Sequence, residues 1–253
     1  MYAEERQQYI VDLARRDGRV DVAELAVGLG LTGETIRRDL SMLERQGLLR
    51  RVHGGAIPVE RLGFEPVIAA RDAVMSVEKD RIVKAAFREL PEEGSILLDA
   101  GTTTVRLARI LPTDRQLTVL TNALPIAMAL ASRANLTVLF VGGRVRGRTL
   151  ASVDAWALDA LAVSYVDVAF VATNGISVER GLTTPDQAEA AVKQAMVAAA
   201  RRVVLLADHT KVGIDHLFRF AEVGDIDTMI TDTGLDERTV AEIESRGPRV
   251  LRA

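Results

Sequence analysis

The chain has 253 residues, 26% of them charged and 48% hydrophobic, a globular composition that allows a head of about 60 residues and one sizeable body and argues against disorder except near the ends. It holds no cysteine and no run of eighteen apolar residues, which excludes disulfides, thiolate metal sites and cysteine nucleophiles and argues against a membrane span. The net charge is only −3, and Met1-Tyr2-Ala3-Glu4-Glu5-Arg6 opens with no basic stretch followed by an apolar one, so composition announces neither polyanion binding nor secretion, and a cytoplasmic location is expected.

The first 58 residues read as three helices and a hairpin. Ile10, Leu13 and Ala14 give an apolar face to a helix from about Glu4 to Arg15, ended by Gly18. Asp21 and Glu24 stand at capping-box spacing before Leu25, Ala26 and Leu29, Gly30 permits a corner, and Thr32 can cap a third helix. That helix places Ile36, Leu40 and Leu43 on one side, leaving Thr35, Arg37, Arg38, Ser41 and Arg45 mostly off the core face. Leu48 to Val52 is strand-like and carries Arg50 and Arg51; His53-Gly54-Gly55 can turn, and Ala56-Ile57 can return. Two short helices joined by a tight corner leave one free to enter a major groove, where arginine reaches guanine edges or phosphates and the two glycines let a wing approach the backbone. The competing reading is that these arginines only solvate a small helical domain, and that His53 makes a local hydrogen bond rather than a phosphate contact.

Asp21-Val22-Ala23-Glu24-Leu25-Ala26, Thr35-Ile36-Arg37-Arg38-Asp39-Leu40 and the run from Leu43 to Ala56 resemble the DeoR family of bacterial repressors in order and spacing. The opening Met1 to Gln7 also resembles fructose-operon repressors of actinobacteria. The resemblance implies a winged helix-turn-helix over 1–58 that binds double-stranded operator DNA.

Residues 59–75, with Gly63 and Pro66 among scattered charges, read as a linker. The body, 76–253, begins with a helix from about Val77 to Leu90 and then alternates short apolar strands with helices. The strands are Ile96–Leu98, Leu117–Leu120, Leu136–Val141, Val166–Ala172, Val203–Ala207 and Thr228–Thr231. Such runs indicate a parallel-rich sheet buried on both faces, an α/β fold. Asp99, Thr121, Gly142, Thr173 and Asp208 all follow strand carboxyl ends, the side on which open α/β sheets place ligands. Gly101-Thr102-Thr103-Thr104 offers a turn, a helix start and hydroxyl donors for an anion, or else simply a well-capped helix. Arg144 and Lys211 could neutralise a phosphate, and Asp99 could accept from a sugar hydroxyl or orient the loop. Thr184, Pro185 and Gln187 read as cap, first residue and cap partner of another helix, on which Glu189 and Lys193 stand at surface-pair spacing. Trp156 reads as packed between helix and sheet.

The body resembles the DeoR-type sensing domain, similar in fold to ribose-5-phosphate isomerase, through Asp99 to Thr104, Thr121-Asn122, Gly142-Gly143-Arg144, Asn174-Gly175-Ile176, Gly181 to Pro185 with Glu189 and Lys193, and Asp208 with Lys211. Thr173 and His209-Thr210 depart from that pattern. The resemblance implies a phosphorylated-sugar effector held by these residues, with fructose 1-phosphate the leading candidate, release from the operator on binding, and a homodimer or homotetramer. No cofactor and no metal are expected. Ala172-Thr173-Asn174-Gly175 holds no carboxylate where the isomerase needs its base, so catalysis is not expected. An activator, or a DNA-binding oligomer that senses nothing, remains the alternative.

Overall fold

The computed structural model describes residues 3–52, 54–58, 71–72 and 74–253. They divide into two units, Met1–Val74 and Met75–Ala253. His53 and residues 59–70 of the expected linker lie outside the described residues.

In the first unit α1 (Ala3–Asp17), α2 (Val22–Leu29) and α3 (Gly33–Arg45) pack around Ile10, Ala14, Leu25, Ile36, Leu40 and Leu43. Gly30 closes α2 at φ +63, and its N–H turns back to the carbonyls of Ala26 and Val27. Thr32 caps α3 by accepting from the Thr35 N–H. Asp21 caps α2, but its carboxylate takes the Ala23 N–H rather than completing the expected box with Glu24. The hairpin β2 (Leu49–Val52) and β3 (Gly55–Pro58) gains a third strand, β1 (Val20–Asp21), in the antiparallel order β1-β3-β2. That strand requires Gly55, because a Cβ there would sit 1.9 Å from the Val20 carbonyl oxygen. Gly55 is therefore spent on closing the head internally.

The second unit is built on seven parallel strands in the order β15-β14-β12-β9-β4-β5-β6. These are β4 (Gly94–Leu98), β5 (Leu117–Thr121), β6 (Leu136–Phe140), β9 (Val166–Ala172), β12 (Ala200–Leu206), β14 (Thr228–Thr231) and β15 (Arg249–Arg252). Alternate side chains feed two cores. Ile96 and Leu98 meet Ile82, Leu107 and Ile126 on one face, whereas Leu97 meets Leu161, Val192 and Met196 on the other. The first face is covered by α4 (Ser76–Ala86), α5 (Thr102–Arg109) and α6 (Leu124–Leu130), the second by α7 (Ala155–Ala162), α8 (Gln187–Ala198) and α9 (Glu237–Glu244).

Two small sheets escaped the sequence reading: the hairpin β7 (Arg144–Val145) and β8 (Ser152–Val153), and β10 (Gly175–Ser177), β11 (Gly181–Thr184) and β13 (Phe218–Ala221). Their strands are too short to show a period. Two local expectations are also corrected. Trp156 is 76% exposed on the first turn of α7 instead of packed inside. Asp186, not Thr184, caps α8, because Thr184 is still in β11 and the Asp186 carboxylate takes the Glu189 N–H. Among the described residues no helix is long and apolar enough to cross a membrane.

Asp39 on α3 is buried against α1, where Arg6 donates twice, at 2.6 and 3.2 Å, and Gln7 once, at 3.1 Å. Arg6→Ala would strand that carboxylate and is expected to destabilise the head by about 3 kcal/mol. Hydrogen exchange checks it: α1 and α3 should lose protection while the body keeps its own.

Candidate functional site

The burial of Asp39 changes the charge balance of α3. Arg37, Arg38 and Arg45 on the helix and Arg50 and Arg51 on β2 are exposed, so the remaining surface of this segment is dominated by guanidinium groups. Arg37 lies 3.7 Å from Glu34, a weak exposed pair. Ser41 bonds back to the Arg37 carbonyl and receives Arg51 at 3.1 Å, while Glu44 takes the Arg51 N–H. These bonds join α3 to β2 and present helix and strand as one basic face. Thr35 is half-buried beside its cap partner Thr32, and Gly54 is exposed at φ +77.

In the body, β4 is the first strand of the sheet. The chain then winds outward through β5 and β6, returns to β9 on the other flank of β4, and winds away through β12 and β14. The winding reverses between β4 and β9, and open α/β sheets place ligands outside the carboxyl ends of strands at such a point. Asp99 stands there, fully buried. Its Oδ2 accepts the Ala172 N–H at 2.9 Å and the Lys193 ammonium, which also donates to the Ala172 carbonyl at 2.9 Å. Lys193 is itself 4% exposed and lies over the Phe220 ring. Asp99 Oδ1 has no partner.

Gly101 caps α5 without a side-chain bond. The first backbone bond of that helix runs from Val105 to Gly101, so the amides of Thr102, Thr103 and Thr104 lack helical acceptors. Gly101 is extended, at φ −179, and its small size matters through contact: a Cβ would lie 3.0 Å from that of Ala172. Thr104 is spent on the turn, donating to the carbonyls of Asp99 and Gly101. Thr102 and Thr103 are buried with no such engagement.

One strand over, Thr121 donates to the Leu98 carbonyl and accepts the Ala123 N–H, a structural role. Asn122 gives its amide to the Ser152 carbonyl at 3.3 Å, which fixes its orientation and leaves a buried Oδ1 unpartnered. Gly142 and Gly143 take φ +72 and +108 in entering the β7–β8 hairpin, and a Cβ on Gly143 would lie 2.5 Å from the Val153 carbonyl oxygen. Arg144 is not among the buried groups. It is 61% exposed and bonded to Asp154 at 2.6 Å.

The better shielded cation of this hairpin is Arg146, half-buried with its side chain 12% exposed, which sequence reasoning missed. It bridges Glu189 and, at 3.1 Å, Asp186, and Thr149 donates to Glu189 as well. Glu189 and Lys193 are therefore no surface pair. Both are buried, and each takes its partner from elsewhere in the chain. No local signal separates Arg146 from Arg144; only the course of the hairpin does.

Beyond β9, Thr173 is locked to the backbone of Gly175 and Thr183, and Asn174 accepts from Thr184. Gly175 is required by packing, since a Cβ would meet the Ile214 carbonyl oxygen at 2.2 Å. Beyond β12, Asp208 caps the short turn His209–Lys211, engages Thr210 through both N–H and hydroxyl, and leaves Lys211 half-buried. His209 is held by Asp232, a further residue the sequence reading missed, which takes its N–H at 2.8 Å and contacts its ring Nδ1 at 2.7 Å. Burial pushes the Asp232 carboxyl up, but donors from His209 and Gly234 outweigh it and hold the group below the usual carboxylate range. Among the described residues no group of three acidic, histidine or cysteine side chains could hold a metal ion.

The DeoR-like helix-turn-helix domain model matches residues 6–61, and the DeoR C terminal sensor domain model matches 75–233. The chain is 40% identical to the HTH-type transcriptional regulator GlpR of Haloferax volcanii, over 99% of this chain and 98% of that protein. It is 31% identical to the HTH-type transcriptional repressor GlcR of Bacillus subtilis, over 92% and 89%. A solved ribose 5-phosphate isomerase from Methanocaldococcus jannaschii aligns over 55% of each chain with 14% identity and a TM-score of 0.41.

The buried charges make two outcomes testable. Lys193→Met should lower body stability by about 3–5 kcal/mol, and adding Asp99→Asn should restore much of it because no lone charge remains; a denaturation double-mutant cycle measures this, and additive losses would contradict it. Because the Asp232 carboxyl is depressed in the folded state, its contribution is present above about pH 4 and is lost as pH falls through the folded-state pKa. Asp232→Asn should therefore reduce stability at neutral pH and flatten the acid limb of a pH series of unfolding curves.

Proposed function

The chain belongs to the DeoR family of helix-turn-helix transcriptional regulators, and from that premise we propose that it represses a sugar-uptake or sugar-catabolic operon and leaves its operator when the body binds a phosphorylated sugar. It is a regulator and not an enzyme, as are the relatives that match its whole length. The observation that carries the effector reading is the pair of buried oxygens without donors, Asp99 Oδ1 and Asn122 Oδ1, at the ends of neighbouring strands. Leaving an acceptor dry costs free energy, and a sugar hydroxyl supplies the missing proton. The unbonded amides and threonine hydroxyls at the start of α5 suit the phosphate of the same ligand.

Lys193 orients Asp99 within this site, and Lys211 adds positive charge at the next strand end. Arg144, Asn174, Gly175, Glu189 and Asp208 belong to its outer wall, whereas Thr104, Thr121, Gly142 and Gly143 shape the turns. In the head, Arg37, Arg38, Arg45, Arg50 and Arg51, with Thr35, Ser41 and Gly54, form the DNA face; His53 joins them on its place in the sequence, whereas Gly55, buried against Val20, serves the turn and not the DNA. Repression is the sign we favour, as in the GlcR relative. Paired heads on a homo-oligomer would read repeated half-sites, in the cytoplasm and on the nucleoid.

The deciding experiment is calorimetry with a panel of sugar phosphates, the free sugars and inorganic phosphate, each paired with operator-binding titrations. A sugar phosphate, with fructose 1-phosphate the first to try, should bind more tightly than either of its parts and lower DNA affinity. Asn122→Leu should cost that ligand about 1 kcal/mol and leave inorganic phosphate unaffected. Arg38→Ala should weaken the operator by about 1–3 kcal/mol and spare the ligand. If no phosphorylated sugar binds, the effector reading fails; equal affinity for operator and scrambled duplex removes the repressor reading.

A further inference from the structure

We propose that Arg106 couples the crevice to the chain segment that leaves the body for the head, an inference that rests on the effector reading above. Arg106 lies on α5 one helical turn after Thr102 and Thr103, on the same side of the helix. Its guanidinium reaches back to α4, donating to Asp80 Oδ1 at 2.6 Å and approaching the Ser76 carbonyl oxygen at 3.5 Å. Ser76 is the first residue of α4, and Asp80 is one turn further on. Arg106 thus clamps the opening turn of the first body helix to the helix whose N-terminus faces the ligand.

The residue just before that turn is Met75, which opens the body unit. It sits at φ +55 and ψ +39, a left-handed conformation that an L-residue other than glycine disfavours, and it gives α4 no side-chain cap. A non-glycine residue in this region carries backbone strain that its surroundings must hold in place. The Lys79 N–H bonds to the Met75 carbonyl, so the strained residue is tied into the same turn that Arg106 holds.

Packing alone does not require the clamp. α4 and α5 already meet through Ile82, Val83, Ala86, Val105 and Ala108 in the first-face core. The ion pair adds nothing to that contact, and its Asp80 partner is 56% exposed, so its contribution to stability is small. What it does is fix the position of one particular turn. When ligand fills the amides of α5, any adjustment of that helix is passed by Arg106 to Ser76 and Asp80, and so to Met75. Both the ligand and the departing chain then bias one two-state backbone element, which is the physical requirement for coupling.

The test uses full-length protein, fructose 1-phosphate and inorganic phosphate as probes, and the operator duplex. In the unaltered chain the sugar phosphate should lower DNA affinity by about 5–150-fold. In Arg106→Met, which keeps the apolar stem, ligand affinity and ligand-free DNA affinity should stay within about threefold, while the ligand's effect on DNA falls to about twofold or less. Asp80→Asn, a change at an exposed position, should give the same uncoupled protein, and Arg106→Asp combined with Asp80→Arg should regain the response. A full response in Arg106→Met or Asp80→Asn overturns the coupling role and leaves the effector reading intact. Loss of ligand binding in Arg106→Met would make Arg106 a contact of the ligand, which also overturns it. If no sugar phosphate of the calorimetric panel binds the unaltered chain, the effector reading and this inference fall together.

Discussion

A carboxylate and an ammonium are both removed from water at the carboxyl ends of β4 and β9, where Asp99 and Lys193 satisfy one another. Burying either ion alone would cost several kcal/mol, so each constrains the other. The constraint reaches three elements at once. Asp99 extends β4, the Ala172 N–H and carbonyl end β9, and Lys193 stands on α8. The sheet's winding reverses between these two strands, so the pair holds the seam of the sheet and the helix that covers it in one register.

The same helix carries a second buried pair one turn away. Glu189 and Lys193 share a face of α8, yet each is neutralised from a different part of the chain, by Arg146 in the β7–β8 hairpin and by Asp99 after β4. An i,i+4 pair on a solvated helix would bond to itself and hold nothing else. Here the two charges act as separate anchors, and the hairpin that comes after β6 is bound to α8 through Arg146, Thr149, Asp186 and Glu189. The residues at these strand ends are therefore held in place by one another, while Asp99 and Asn122 each keep a buried oxygen without a donor.

The head uses buried charge to a different end. Asp39 lies in the middle of the helix that carries the exposed arginines, and it would repel a phosphate if it faced outward. Arg6 and Gln7 turn it into part of the α1–α3 contact. One salt bridge thus helps to hold the helices together and also removes negative charge from the arginine-rich surface of the head.

The amino-acid sequence by itself determined the features that repeat or that rest on one residue's conformation. Apolar runs of three to seven residues separated by amphipathic helices specify a parallel sheet covered on both faces, and Gly30, Thr32 and the Ile36-Leu40-Leu43 spacing specify the corner and the exposed face of α3. The strand-end rule also brought Asp99, Thr121, Gly142, Thr173 and Asp208 to one side of the sheet, because direction in a parallel sheet is fixed by chain order. Tertiary structure alone decided the partners. Arg144 and Arg146 are two residues apart with the same chemistry, and only the path of the hairpin leaves one in solvent and turns the other onto Glu189. Glu189 and Lys193 have surface-pair spacing, and only the approach of β4 and the hairpin converts them into anchors. Trp156 looks like core by its size and stands in solvent, because hydrophobicity states what burial would gain and says nothing of whether a neighbour arrives to provide it. The ion-pair partners of Glu189 and Lys193, 43 and 94 residues away, are set by the packing of whole elements, and no local pattern encodes them.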